Sequence, residues 1–152
     1  MSTKSDDLKV LELWRKIRRQ LNLRATHAVR PLGIGLKQAI FIKELMIQGA
    51  CSATDLARLT DTDPAATGKV IETLRKKKWV SRTDDPSDRR RWKITLTAEG
   101  KTAAKQIDTT FKGVAQDFCS PLSARDREAL IGLFTKISDH LQTSLDSAKE
   151  EA

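Results

Sequence analysis

At 152 residues the chain is the size of one domain, long enough to bury a core of its own and short for two. Its 28 lysines and arginines outnumber 20 aspartates and glutamates, and the formal charge of +8 suits a polyanionic partner without choosing among DNA, RNA and an acidic membrane surface. No run approaches the roughly 18 to 20 apolar residues of a membrane span, and MSTKSDDLKV lacks the apolar stretch of a signal peptide. Cys51, Cys119, His27 and His140 compose neither a disulfide framework nor a metal site, so a cytoplasmic protein with no metal and no cofactor is expected.

In chain order, Leu8, Leu11, Trp14, Ile17, Leu21, Ala25 and Ala28 recur at spacings of three and four, which predicts a long helix stopping before Pro31. Residues 36–47 are helical in pattern and apolar almost throughout, as a central buried helix is, and Gly49 ends them. Ser52 stands three residues before Asp55, the spacing of a capping box, and predicts a short helix over 53–59. Asp63 followed by Pro64 starts another, running to about Lys77. Two short helices across a tight turn make a helix-turn-helix.

WVSRT (79–83) and WKITL (92–96) alternate as strands do, with DDPSDRRR read as the loop between them. Thr97 is placed to cap the next helix, which carries Ala104, Ile107, Phe111, Val114 and Phe118 on one face. After Ser120 and Pro121, Ser123 caps a last helix with Leu130, Leu133, Phe134, Ile137, Leu141 and Leu145.

Charge is localised. Residues 69–93 hold ten basic side chains against four acids, net +6, whereas 98–152 hold seven against nine, net −2. With Val70, Ile71 and Leu74 turned inward, helix 64–77 turns Ala65, Gly68, Lys69, Glu72 and Lys76 outward. Small side chains there allow close approach to a major groove, and Lys69 is placed to donate to guanine O6 and N7. Thr62 in the turn and Thr67 add candidate phosphate or base contacts. An ordinary amphipathic surface helix fits the same pattern until the hairpin is added. A basic-tipped ribbon directly after such a helix is a winged helix-turn-helix arrangement, with a tip arginine drawn to the negative potential of a narrow minor groove. Asp88 lies near enough to Arg90 in sequence to pair with it and hold it extended, although a plain turn former after Pro86 and Ser87 is the alternative.

Residues 74–100, LRKKKWVSRTDDPSDRRRWKITLTAEG, resemble the MarR/SlyA family of winged-helix transcription regulators. A leucine-basic helix end, an aromatic-valine strand start, the Asp-x-Arg tip and the Leu-Thr-x-x-Gly segment carry the resemblance. It implies a mainly α fold with a small β-hairpin wing, one MarR-like domain over 1–152. Residues 36–97 would be the DNA-binding region, and 8–30 and 98–147 the N- and C-terminal dimerisation helices. It further implies a homodimer on a pseudo-palindromic operator, a sequence-specific double-stranded DNA-binding regulator of the repressor type, and no enzyme. Lys69 and Arg90 take the base-contacting and wing-arginine positions, with Arg89 and Arg91 on phosphates. Two residues depart from the pattern. Lys78 stands where glycine is usual, at a cost of about 1–2 kcal/mol if the backbone stays left-handed. Gly68 inside the helix costs about 1 kcal/mol relative to alanine.

By the same resemblance a small phenolic or aromatic carboxylate is the expected effector, with Trp14, Arg18, His27 and Arg30 as pocket candidates. Taken singly, a core tryptophan and solvated arginines explain these residues as well. Two alternatives stay open: a winged-helix module that binds RNA or protein, and a redox-responsive regulator using Cys51 or Cys119, each of which also reads as a small packed residue.

Overall fold

The computed structural model describes residues 4–85 and 88–150, with only the backbone at 4, 5, 85, 88–91 and 148–150. The elements are α1 (Lys4–Val29), a short 3-10 turn (Arg30–Leu32), α2 (Leu36–Gln48), α3 (Ala53–Leu59), α4 (Pro64–Lys76), β1 (Val80–Asp85), β2 (Asp88–Leu96), α5 (Ala98–Cys119) and α6 (Ala124–Glu150). This is the expected mainly helical chain with one antiparallel two-stranded hairpin. Contacts group it into two compact units, 1–114 and 115–152. No described helix is long and apolar enough to cross a membrane.

Local chemistry sets the boundaries. Gly49 ends α2 at φ 80, its N–H bonded to the Leu45 carbonyl at 3.0 Å. Ser52 and Asp55 form the anticipated capping box: the Asp55 N–H donates to Ser52 Oγ at 3.0 Å. The Ser52 hydroxyl donates back to the Asp55 carboxylate at 2.7 Å and holds its pKa below the ordinary value. The α3–α4 turn closes through Asp61 in the left-handed region, with the Thr62 N–H reaching the Ala57 carbonyl at 2.9 Å. Asp63 then accepts the Ala66 N–H at 2.9 Å, ahead of Pro64.

The core of residues 1–114 lies where α2, α3, α4, the hairpin base and α5 meet. Phe41, Ile42, Leu45, Leu56, Ile71, Leu74, Ile94 and Ile107 are all buried there, each large apolar side chain contributing about 1.5–3 kcal/mol. Asp108 of α5 pairs with Lys43 of α2 and, at 2.8 Å, with Lys112. Lys112 and Lys43 hold the Asp108 carboxyl below its ordinary pKa.

The hairpin corrects the expected loop. Its strands continue through Asp84 and Asp85 and resume at Asp88, because a two-stranded ribbon keeps its backbone pairing where the side chains stop alternating. Asp84 faces Trp92 whereas Asp85 faces Asp88, so a register shift falls here and Arg89, Arg90 and Arg91 lie between the two pairs. At the other end, Cys51 pairs with Ile94 from outside the hairpin: the Cys51 N–H donates to the Ile94 carbonyl at 3.1 Å and the Ile94 N–H returns a bond at 2.7 Å.

The joint between α4 and α5 explains the Leu-Thr-x-x-Gly segment. Lys78 is left-handed at φ 60, and its N–H and that of Trp79 close α4 on the carbonyls of Arg75 (2.9 Å) and Leu74 (3.0 Å). The Thr97 hydroxyl donates to the Lys78 carbonyl at 2.6 Å and accepts the Gly100 N–H at 3.0 Å, while the Thr97 N–H bonds the Trp79 carbonyl at 3.0 Å. A Cβ on Gly100 would lie 1.9 Å from the Trp79 oxygen. No side chain fits there.

In unit 115–152, Ser123 and Asp126 form a second capping box at the start of α6. Ile131, Leu133, Ile137, Leu141 and Leu145 of that helix are exposed, as are Leu8, Leu11 and Trp14 of α1.

Two substitutions at the joint have opposite expected signs in urea unfolding. Gly100→Ala forces Trp79 away from α5 and is expected to cost about 3 kcal/mol. Lys78→Gly relieves the left-handed backbone and is expected to add about 1 kcal/mol.

Candidate nucleic-acid interface

At about 100° per residue, Ala65, Gly68, Lys69, Glu72 and Lys76 fall on one side of α4, and Thr67, Ile71 and Leu74 on the other. The structure follows that division. Ala65, Gly68, Lys69 and Lys76 are exposed and Glu72 is half-buried, whereas Thr67, Ile71 and Leu74 are buried. A Cβ on Gly68 would meet nothing within 4 Å, so no neighbour among the described residues requires glycine there.

Thr62 and Thr67 depart from expectation. Thr62 is 8% exposed and Thr67 1%, so neither hydroxyl faces a partner outside the fold. Thr62 Oγ1 donates to the Thr60 carbonyl at 3.1 Å, a bond within the turn. Thr67 lies about 180° around the helix from the outward stripe, and its hydroxyl is buried with no hydrogen-bond partner among the described residues.

Three features do not stand out from the sequence. Arg75 grips Glu72 at two points, Nε to Oε2 at 2.9 Å and Nη2 to Oε1 at 3.0 Å. That grip, with the charges of Arg75, Lys76 and Arg82 adding to it, holds the Glu72 carboxyl below its ordinary pKa. On the hairpin, the Arg82 guanidinium lies 4.0 Å from the Trp92 ring centroid, and Lys77 stands 5.3 Å from that of Trp79. Signals for two of them exist: an i, i+3 Glu-Arg spacing for the first pair, and for the second a diagonal placement that the strand register supplies.

The backbone of Asp88, Arg89, Arg90 and Arg91 belongs to β2, and their side chains lie outside the described residues. The Asp88–Arg90 pairing falls there too.

The proposed pocket residues do not converge within the chain. Trp14 and Arg18 are exposed one turn apart on α1, while His27, nine positions beyond Arg18, projects from the opposite side about 180° away. Arg30 lies in the following 3-10 turn. Of the four, Arg18 alone lines a groove of ≈ 440 Å³ on α1, with Arg15, Arg19 and Asn22. A cavity of ≈ 470 Å³ opens instead between the end of α2, the end of β2 and the start of α5, floored by Leu45, Met46, Leu96 and Ala104 and edged by Lys101 and Lys105.

Cys51 is buried at its bridge to Ile94, and burial first, then the charges of Asp55 and Glu44, pushes its thiol above the ordinary pKa. Cys119 is a half-buried free thiol.

The MarR family model matches residues 42–92, from mid-α2 into β2. A Thauera aromatica protein, provisionally assigned as transcriptional regulatory protein for the hcr operon, is 32% identical over 112 residues, 74% of this chain. The HTH-type transcriptional regulator YwaE of Bacillus subtilis is 28% identical over 101 residues, 66% of this chain. The chain spans 64% and 59% of the lengths of these two relatives. The solved structure of Bordetella bronchiseptica BpsR, a protein whose DNA binding is described as regulated by 6-hydroxynicotinic acid, is 28% identical. It superposes with a TM-score of 0.74 over 86% of this chain and 93% of that one. The capped helix pair and the hairpin thus lie in the segment that matches the MarR family, and these likenesses give the chain the winged helix-turn-helix fold of that family's regulators.

Proposed function

We propose that this protein is a sequence-specific double-stranded DNA-binding repressor that acts as a homodimer on a pseudo-palindromic operator. The observation that carries the reading is α4 itself, exposed along a stripe that is small at Ala65 and Gly68 and basic at Lys69 and Lys76, with a hairpin following within a few residues. Region 36–97 enters the DNA: α4 takes the major groove, Lys69 reads a guanine, and Lys76 meets phosphate. Arg90 takes the minor groove, Arg89 and Arg91 meet phosphates, and Asp88 holds Arg90 extended. Gly68 lets the α4 backbone approach the base edges.

Helices over 8–30 and 98–147 form the dimer in this reading. The exposed apolar side chains of α1 and α6 support it, because an isologous interface removes such stripes from water. The ligand regulation described for BpsR supports release by a small aromatic carboxylate. Within one chain Trp14 and Arg18 lie on the opposite side of α1 from His27, and in this reading a pocket that uses all four with Arg30 is completed by the second copy.

Selection of bound duplexes from a random pool is expected to return one palindromic motif with half-sites about one helical turn apart. Arg90→Ala is expected to weaken binding to that site at least about tenfold, a loss of about 1.4 kcal/mol, and Lys69→Ala to relax preference at one position. Equal affinity of the Arg90 variant would remove the wing from the mechanism. A separate measurement tests the redox alternative. A thiol reagent at pH 8 is expected to modify Cys119 in the folded protein and Cys51 only on unfolding; fast native labelling of Cys51 would favour peroxide sensing.

A further inference from the structure

The α4 stripe assigned to DNA contains a carboxylate. Glu72 is the only acid in α4, and it sits mid-stripe, three residues after Lys69 and four before Lys76. A surface that merely attracts phosphate is weakened by a negative charge at its centre. Stabilising the helix through an i, i+3 pair does not require that position, since the same pair on a flank serves equally.

The geometry around the carboxylate is that of an oriented acceptor. Arg75 lies about 60° around the helix from Glu72, to the side of the stripe, and bonds one carboxylate oxygen from Nε and the other from Nη2. Two bonds in one guanidinium plane fix the carboxylate, and each oxygen keeps a second acceptor site. The side chains stay 41% and 53% exposed, so the held group is reachable from outside. Lys76 and Arg82 add positive charge around it, and it remains an ionised, acceptor-only group at neutral pH.

Among base edges in the major groove, cytosine presents an amino donor and no acceptor, guanine presents two acceptors, thymine one, and adenine a donor beside an acceptor. A fixed carboxylate therefore favours cytosine and is repelled by the others to different degrees. Three residues of helix separate Glu72 from Lys69 by about 4.5 Å along the axis, close to the roughly 3.4 Å step between base pairs. The two side chains can thus meet neighbouring pairs.

We propose that Glu72 is a specificity-determining residue that accepts a hydrogen bond from a cytosine amino group, at the base pair next to the one met by Lys69. Arg75 is its positioning residue. This rests on the DNA-binding reading above.

Random-duplex selection with the full-length protein and its Glu72→Ala, Glu72→Gln and Arg75→Ala variants tests it, together with titration of a scrambled duplex. The wild-type motif is expected to contain a cytosine, once per half-site, whose replacement weakens binding about tenfold. Glu72→Ala is expected to lose that preference alone and to bind the scrambled duplex more tightly. Glu72→Gln is expected to shift the same position toward adenine, and Arg75→Ala to blunt it. A motif unchanged in Glu72→Ala and Glu72→Gln overturns the inference and leaves the DNA-binding reading standing. A wild-type protein that enriches no motif overturns both. Glutamine keeps the shape and the helix, so Glu72→Gln decides the matter if the alanine variant unfolds.

Discussion

The fold of residues 36–97 depends on one contact, the approach of α5 to the carbonyl of Trp79. Gly100 permits it by having no Cβ, and Thr97 locks it by bonding to both sides of the joint. The chain therefore leaves α4 at Trp79 and returns to the same place at Thr97, so the hairpin is an excursion with both ends tied. Helix α4 cannot turn about its axis without tearing that knot. The outward stripe and the hairpin are thus fixed to each other through hydrogen bonds within a few residues, as well as through the core that Ile71, Leu74 and Ile94 share.

Local costs collect around the same helix. Lys78 holds a left-handed backbone that glycine would adopt freely, and Thr67 buries a hydroxyl with no partner among the described residues, worth about 1–3 kcal/mol. Gly68 gives up helix propensity on an open surface. Against these stand Ile71 and Leu74, buried in the core, and the bonded caps at both ends of α4. A helix held by its ends and two anchors, with its exposed stripe left poor in packing, has side chains free to be chosen for what they meet outside.

Much of this is legible in the sequence because it is written in short-range chemistry. Ser52 with Asp55, Asp63 with Pro64, and Thr97 each announce a helix start within four residues, and each cap forms where expected. Apolar periodicity places Ile71 and Leu74 correctly. What fails to show is decided by partners far away in sequence. Alternation alone makes the 79–83 and 92–96 strands too short, because charged residues break the pattern although ladder bonds continue through them. The Cys51–Ile94 bridge joins residues 43 positions apart with no motif to mark it. Thr67 resembles a contact because threonine is polar, whereas its angular position on α4 already turns it inward. The Glu72–Arg75 clamp has a visible spacing, but the sequence alone makes it one helix-surface pair among many.

The Cys51–Ile94 bridge has a consequence for distance. By exchanging both amide bonds with β2, Cys51 makes the root of the hairpin a three-stranded patch, and a slip of one residue would break two bonds while turning Lys93 inward in place of Ile94. The hairpin thus works as a ruler with its zero mark clamped. From Ile94 back to Trp92 each residue stands at a set number of steps from α4, so the backbone of the ribbon, up to the register shift at Asp84, is graduated from a fixed origin.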